Sequence, residues 1–356
     1  MRLAPLTVSA VLRPRVLRAL GAAALCVGLA GCSGHHRVDS TSPAQTGAVG
    51  AVPSAGCKAA TPAPSVTGQR DAIAVAGTSR TYLLTTPPAH RQPDPLVVDF
   101  HGFGEGAPTE SLTTGFGTLG QRDGFVAVFP SGTGTPIAWD TSTKAGNPDL
   151  RFVAALLGRL EATQCIDEAR VYATGLSQGA FMTSTVACVM SRTFAAVAPV
   201  AGVQLPRHCP TERPVPLLAF HGTADPILHF NGGIGRKVLA ADIHAHPRPL
   251  PKQPAPHLFG AGYPANVRAW AVKDGCGTTP TDTRVSAHVI HRSYPCPPGV
   301  EVEFDIIVGG GHSWPGSPIS AAISAFVGHT TMEINATNTI WAFFRGFHLA
   351  HPLAMH

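Results

Sequence analysis

Charge is scarce in this chain. Asp, Glu, Lys and Arg together make up 13% of its 356 residues. Even the formal net charge of +5 misleads, because Arg2, Arg13, Arg15 and Arg18 crowd into the first 31 residues, where no acid occurs. Setting those four aside takes the balance from +5 to +1, which leaves no basic surface to recruit a nucleic acid. Long apolar runs are missing as well. The stretch from Ala19 to Ala30 falls well short of the ~20 residues that a permanent membrane helix needs. No internal repeat is present, so the chain does not read as an array of modules. A metal-ligand pattern is also lacking: His244, His246 and His257 have no carboxylate or cysteine at a fitting spacing, and no metal is expected.

Glycine and proline are plentiful, at 38 and 33 residues, which suits a loop-rich exported protein. Among them Gly175-Leu176-Ser177-Gln178-Gly179 stands out for its flanks. Arg170 to Thr174 is a β-branched and aromatic run of buried-strand type, and Ala180 to Met190 contains no Pro or Gly and reads as a helix. Gly-x-Ser-x-Gly between a strand and a helix forms a tight turn that exposes the serine hydroxyl at a helix head, where N–H groups favour negative charge. Ser177 is therefore the candidate nucleophile. Its alcohol needs a base to take the proton and an acid to orient that base, in the chain order Ser, Asp or Glu, His.

Each role has a candidate beyond the end of a strand-like run. Val215 to Phe220 breaks into His221-Gly222-Thr223-Ala224-Asp225, which puts Asp225 where sites collect in open α/β sheets. Val302 to Val308 ends in Gly309-Gly310-Gly311-His312, where the glycines let the backbone turn and present the ring. His312 is singled out by that position among 17 histidines. Asp140, Asp149 and Asp305 compete for the acid role. Asp149 heads the helical pattern from Leu150 to Glu161, as a cap or first-turn residue, and Asp305 lies inside a strand. Leu96 to Phe100 reads as a central strand despite Asp99 and runs into His101-Gly102-Phe103-Gly104. A loop of that kind supplies one backbone N–H to a developing oxyanion, and the residue after the nucleophile supplies the other. Phe103 and Gln178 are those donors.

Together these blocks, with Phe194 to Gly202 and Gly310-Gly311-His312-Ser313-Trp314-Pro315-Gly316, resemble the secreted polyhydroxybutyrate depolymerase and feruloyl esterase family. The resemblance covers Gln69 to His351. It implies an α/β-hydrolase fold, a mostly parallel central sheet with helices on both faces and a Pro/Gly-rich cap insertion. It further implies carboxylic ester hydrolysis through an acyl-enzyme, with no metal or organic cofactor and with Ser177, Asp225 and His312 as the triad. Trp314 and Trp139 would then contact substrate, with core anchoring as the alternative for both. Two departures bear on substrate choice. The segment from about Leu228 to Ala265 is rich in Pro, Gly and His, and the loop after His101-Gly102 lacks the cysteine that some members carry. Short-chain, hydroxycinnamoyl, acetyl and hydroxyalkanoate esters and envelope lipids all stay open as substrates.

At the amino terminus, arginines followed by a short apolar run read as an export leader. Leu29-Ala30-Gly31-Cys32 resembles the bacterial lipobox, which implies cleavage before Cys32, acylation of that cysteine and a membrane anchor on the extracytoplasmic face. The expected organisation is a leader over residues 1–31, a Gly/Ala/Ser/Thr/Pro tether over 32–68 and an esterase domain over 69–351, acting as a monomer. Six cysteines then remain, an even number that points to disulfides in an exported domain. Neighbours across loops suggest Cys188–Cys209 and Cys276–Cys296, leaving Cys57–Cys165. A non-catalytic envelope-binding lipoprotein and an acyltransferase using the same triad are the alternative functions.

Overall fold

Strands buried on both faces read as continuous apolar runs, and such runs form the middle of this molecule. The computed structural model describes residues 50–59, 61, 63–88, 92–235 and 255–353. The leader, Cys32, residues 33–49 of the expected tether, and His244 and His246 lie outside the described residues. Strands β3 (Asp94–Phe100), β5 (Ile166–Leu176), β6 (Ala196–Val200) and β7 (Leu217–Gly222) are almost wholly buried. Among the described residues the sheet has ten strands. Its parallel centre is β4 (Val126–Pro130), β3, β5, β6, β7 and β10 (Val302–Ile307). Antiparallel strands close both sides: β2 (Thr78–Thr85) and β1 (Gln69–Val75) beyond β4, and β9 (Val289–Ser293) and β8 (Thr281–Arg284) beyond β10.

Successive residues of a strand point to opposite faces, and the core divides accordingly. Leu96, Val98 and Phe100 join a layer with Phe152, Leu156 and Leu160 of α3 (Pro148–Thr163), Met182 and Val186 of α4 (Gln178–Val189) and Trp270 of α5 (Tyr263–Lys273). Val97 and Tyr172 face the other layer, with Phe116 and Leu119 of α2 (Phe116–Asp123) and Ile340, Trp341 and Phe344 of α8 (Ala336–Phe344). Helices therefore cover both faces of a mostly parallel sheet, the α/β-hydrolase architecture. Three shorter helices, α1 (Ala107–Thr114), α6 (Pro318–Ala322) and α7 (Ser324–Val327), belong to connections near the site.

The three disulfides join Cys57 to Cys165, Cys188 to Cys209 and Cys276 to Cys296. Flexible tethering up to residue 68 does not hold for residues 52–57. The Val52 N–H donates to Asp167 Oδ1 at 2.9 Å, the Ser54 N–H donates to the Ile166 carbonyl at 2.9 Å, and Ser54 is fully buried. Backbone groups satisfied in this way belong to the domain, and the Cys57 bridge fastens them there. Asp149 is a first-turn residue of α3, whose N-cap is Asn147; its carboxylate holds Arg80 at 2.6 Å. Asp305 pairs with His291 at 2.8 Å, and Asp140 is exposed, its amide donating to Asp149. The competing acids thus have structural partners of their own.

Candidate active site

β5 ends at Leu176 and α4 begins at Gln178, so one residue makes the whole turn. That residue, Ser177, has φ 58° and ψ −115°, a conformation that a non-glycine residue holds only when its surroundings impose it. Close packing imposes it here. A Cβ on Gly179 would sit 1.8 Å from the Phe100 carbonyl oxygen, so only glycine lets the head of α4 press against the end of β3. The same contact brings the elbow beside the loop that carries Phe103. Phe103 has a solvent-exposed side chain, at 57%, as suits a residue acting through its backbone N–H. The Gln178 N–H lies in the first turn of α4, where amides have no intrahelical acceptor.

His101 locks that loop. The Gly132 N–H donates to His101 Nε2 at 2.9 Å, so Nδ1 carries the ring proton and donates to the Gly102 carbonyl at 2.7 Å. The Gly102 N–H in turn donates to Glu105 Oε2 at 3.0 Å, and the Gly104 N–H to the Ile137 carbonyl at 2.8 Å. Trp139 closes the arrangement from the side. Its indole N–H donates to the His101 carbonyl at 2.9 Å, and its backbone exchanges hydrogen bonds with the Gln178 side chain at 3.1 and 3.3 Å. Trp139 is 4% exposed and Trp314 is 1% exposed. Neither fits the expectation of a substrate contact. Trp314 packs edge-on against Phe116 and donates from its indole to Thr337 Oγ1 at 3.0 Å, a core anchor on the far layer. Trp139 holds the loop and Gln178 in place from within the core.

Asp225 and His312 meet although 87 residues separate them. Parallel pairing of β7 with β10 delivers both loops to the same end of the sheet. A Cβ on Gly222 would lie 2.2 Å from the Gly310 carbonyl oxygen, so the two loops are in backbone contact. The His312 Nδ1 lies 2.7 Å from Asp225 Oδ2, with the carboxylate fully buried. Oδ1 of Asp225 accepts from the Ile227 and Leu228 amides, each at 2.8 Å. Burial alone would raise the Asp225 carboxyl, but the charge of His312 and hydrogen bonds from His221 and His312 hold it well below the usual carboxylate range. That lowering favours the ionised carboxylate, and its contact with Nδ1 leaves Nε2 of His312 turned away from the acid. Between Ser177 Oγ and His312 Nε2 the structure gives no direct hydrogen bond.

Sequence reasoning missed the side chains of His101 and His221. Both were visible as His-Gly pairs at strand ends, but their roles depend on partners in distant segments. Among the described residues no group of three His, Cys, Asp or Glu could hold a metal ion, and no helix is long and apolar enough to cross a membrane.

Residues 80–227 match the sequence profile of the family described as Esterase PHB depolymerase. Over that stretch the chain is similar to the polyhydroxybutyrate depolymerase and feruloyl esterase family. It is 27% identical over 228 residues to feruloyl esterase B of Piromyces equi, covering 62% of this chain and 39% of that protein. It is also 27% identical over 292 residues to the putative esterase NocK of Nocardia uniformis subsp. tsuyamanensis, covering 77% of this chain and 81% of that protein. A bifunctional acetylxylan esterase/xylanase of Neocallimastix patriciarum matches at 30% over 136 residues, 38% of this chain and 20% of that protein. The chain thus spans well under half the length of the two fungal esterases. The solved structure of an acetyl xylan esterase from Aspergillus awamori superimposes with a TM-score of 0.51 at 16% identity, over 69% of this chain and 94% of that one. That likeness bears on the fold.

Proposed function

We propose that this protein is a serine esterase that hydrolyses carboxylic esters through an acyl-enzyme, with Ser177 as nucleophile, His312 as base and Asp225 as its orienting acid. The observation that carries the reading is the buried 2.7 Å contact between His312 Nδ1 and Asp225 Oδ2, at the sheet end where the elbow strains Ser177. His312 Nε2 takes the Ser177 proton as Oγ attacks the ester carbonyl, then returns it to the leaving alcohol. Water repeats the sequence on the acyl-enzyme and frees the acid. The absence of a resting Ser177–His312 hydrogen bond is compatible with this, because such contacts commonly tighten only with substrate bound. The Phe103 and Gln178 N–H groups receive the oxyanion, and each such donor typically contributes about 3 kcal/mol of transition-state stabilisation. His101 and Trp139 keep those two donors in place.

Relatives named for feruloyl and acetylxylan ester hydrolysis support acyl esters of plant polysaccharide as a substrate class. We further propose that the protein is exported and held by a lipid on Cys32. Three disulfides accord with an oxidising compartment. The test is intact-protein mass spectrometry after a fluorophosphonate probe, followed by a p-nitrophenyl ester chain-length series. One adduct is expected on the wild type, with turnover; Ser177→Ala should lose both and remain folded. Roughly a thousandfold acceleration over water can survive from the oxyanion hole and binding. Near-native turnover by Ser177→Ala refutes the assignment.

A further inference from the structure

His221 ends β7 four residues before Asp225, and its ring is completely buried. Its Nε2 lies 3.2 Å from Asp225 Oδ2 and 2.9 Å from the Leu228 carbonyl oxygen. Both neighbours accept and neither donates, so Nε2 carries the proton and is shared between them. The other nitrogen, Nδ1, has no partner among the described residues. The ring stacks on Tyr263 of α5 at 3.7 Å and 19°. The charged and titratable groups around it are Asp225 on its own loop, the Tyr263 phenol on α5 and His312 beyond the carboxylate.

Among the described residues, the Ile227 and Leu228 amides donate to Asp225 Oδ1, and His312 Nδ1 and His221 Nε2 lie 2.7 and 3.2 Å from Oδ2. The backbone pair fixes where Oδ1 sits. His221 sets a second ring nitrogen against Oδ2, beside that of His312, the ring the carboxylate is supposed to orient. Leu228 is held twice, by its N–H on Oδ1 and by its carbonyl on His221. Those bonds close a ring from His221 through Leu228 to the carboxylate. The same loop continues into the bridge between Leu228 and Ile234, and Phe230 accepts from the Tyr263 amide at 3.0 Å. The base of the expected cap is thus joined to the catalytic acid through His221.

We propose that His221 is a positioning residue: by donating from Nε2 to Asp225 Oδ2 and to the Leu228 carbonyl, it holds the carboxylate in the orientation that presents His312 to Ser177. This rests on the triad reading above. The competing explanation is that His221 only fills space beneath Tyr263. His221→Phe keeps the stacked ring and removes the donor, whereas His221→Gln places an amide N–H near the position of Nε2. The full chain would be assayed with a p-nitrophenyl ester across pH about 5 to 9, the range in which an imidazole base titrates.

Loss of a charge-assisted hydrogen bond should lower kcat of His221→Phe about tenfold or more with KM little changed. The carboxylate, carrying its charge with one donor fewer, should also move the acid limb of kcat/KM to higher pH. His221→Gln should restore kcat to within about threefold and return the limb. Should His221→Phe fail to fold, His221→Asn takes its place with the same expectation, since its shorter side chain cannot reach Oδ2. The proposal is overturned if the variant lacking the donor matches wild type in kcat and pH profile. It is also overturned if that variant and His221→Gln fall equally with the limb unmoved. In either case loss of turnover by Ser177→Ala leaves the triad standing, while turnover by Ser177→Ala removes the triad and this proposal together.

Discussion

Replacing Asp99 with Asn should stabilise the fold above neutral pH, and by an amount that depends on pH in a specified way. Asp99 sits in β3 two residues before His101 with no exposed surface, and Thr114 Oγ1 donates to its Oδ2 at 2.6 Å. Burial pushes its carboxyl up to about 7, against the hydrogen bond from Thr114 that pulls it down. Glu110, also fully buried, is raised well above its ordinary value by burial and then by the charges of Asp99 and Glu105. Glu110 is thus the member of the pair that holds its proton to higher pH. Unfolded, an aspartate ionises near 3.8. Between that value and about 7, unfolding releases a proton, so stability falls as pH rises, by up to about 1.4 kcal/mol per unit. Asparagine cannot ionise, and its carbonyl can still accept from Thr114. Urea unfolding of both proteins from pH about 4 to 9, extrapolated linearly, should give a difference near zero at the acid end. That difference should grow in favour of Asn as pH rises toward neutrality, by up to about 1.4 kcal/mol per pH unit. A difference that is flat with pH, or that turns toward wild type as pH rises, refutes the reasoning.

Opening the Cys57–Cys165 bridge by paired serine substitution should cost about 5 kcal/mol in the chain-entropy picture, because it closes 108 residues; urea midpoints within error of wild type would contradict this. Cys32→Ala should move the protein from the detergent phase to the aqueous phase, and unchanged partitioning counts against a lipid at that position. Shortening the segment between Leu228 and Ala265 within residues 236–254 should alter the preference between small and bulky esters while fluorophosphonate still labels Ser177. Loss of labelling with native circular dichroism would instead make that segment part of the catalytic centre.

The parallel centre of the sheet was legible because double burial leaves an unbroken apolar run, as in Leu217 to Phe220, and because glycine clusters mark where such runs stop. The antiparallel flanks were not. β8 is exposed along its whole length and β1 alternates only weakly, so neither carries a hydrophobic signal strong enough to separate strand from loop. Cysteine spacing of 20 and 21 residues drew attention to two local bridges, and the third was reached as the remaining pair. That third bridge also explains why part of the stretch read as tether is structured. Composition rich in Gly, Ala, Ser, Thr and Pro describes Val52 to Cys57 as well as a free linker, and only the long-range bonds to Ile166 and Asp167 set them apart.

The tryptophans and histidines mark the sharper boundary of what a linear reading can reach. Trp314 stands two residues after His312, and the resemblance to the esterase family implied a substrate contact there, with core anchoring as the alternative. A turn that presents the His312 ring at the sheet end carries the indole in another direction, to Thr337 and Phe116. His101 and His221 follow the same rule in reverse. Each precedes a glycine at the end of a strand, and that glycine accounts for the backbone path without any use for the ring. What each ring holds depends on which nitrogen carries the proton, and that is decided by the Gly132 amide in one case and by the Asp225 carboxylate and Leu228 carbonyl in the other. Motif spacing could therefore locate the atoms proposed to meet the ester. The residues that aim those atoms became visible only once the loops after β3, β5, β7 and β10 had been brought to one end of the sheet.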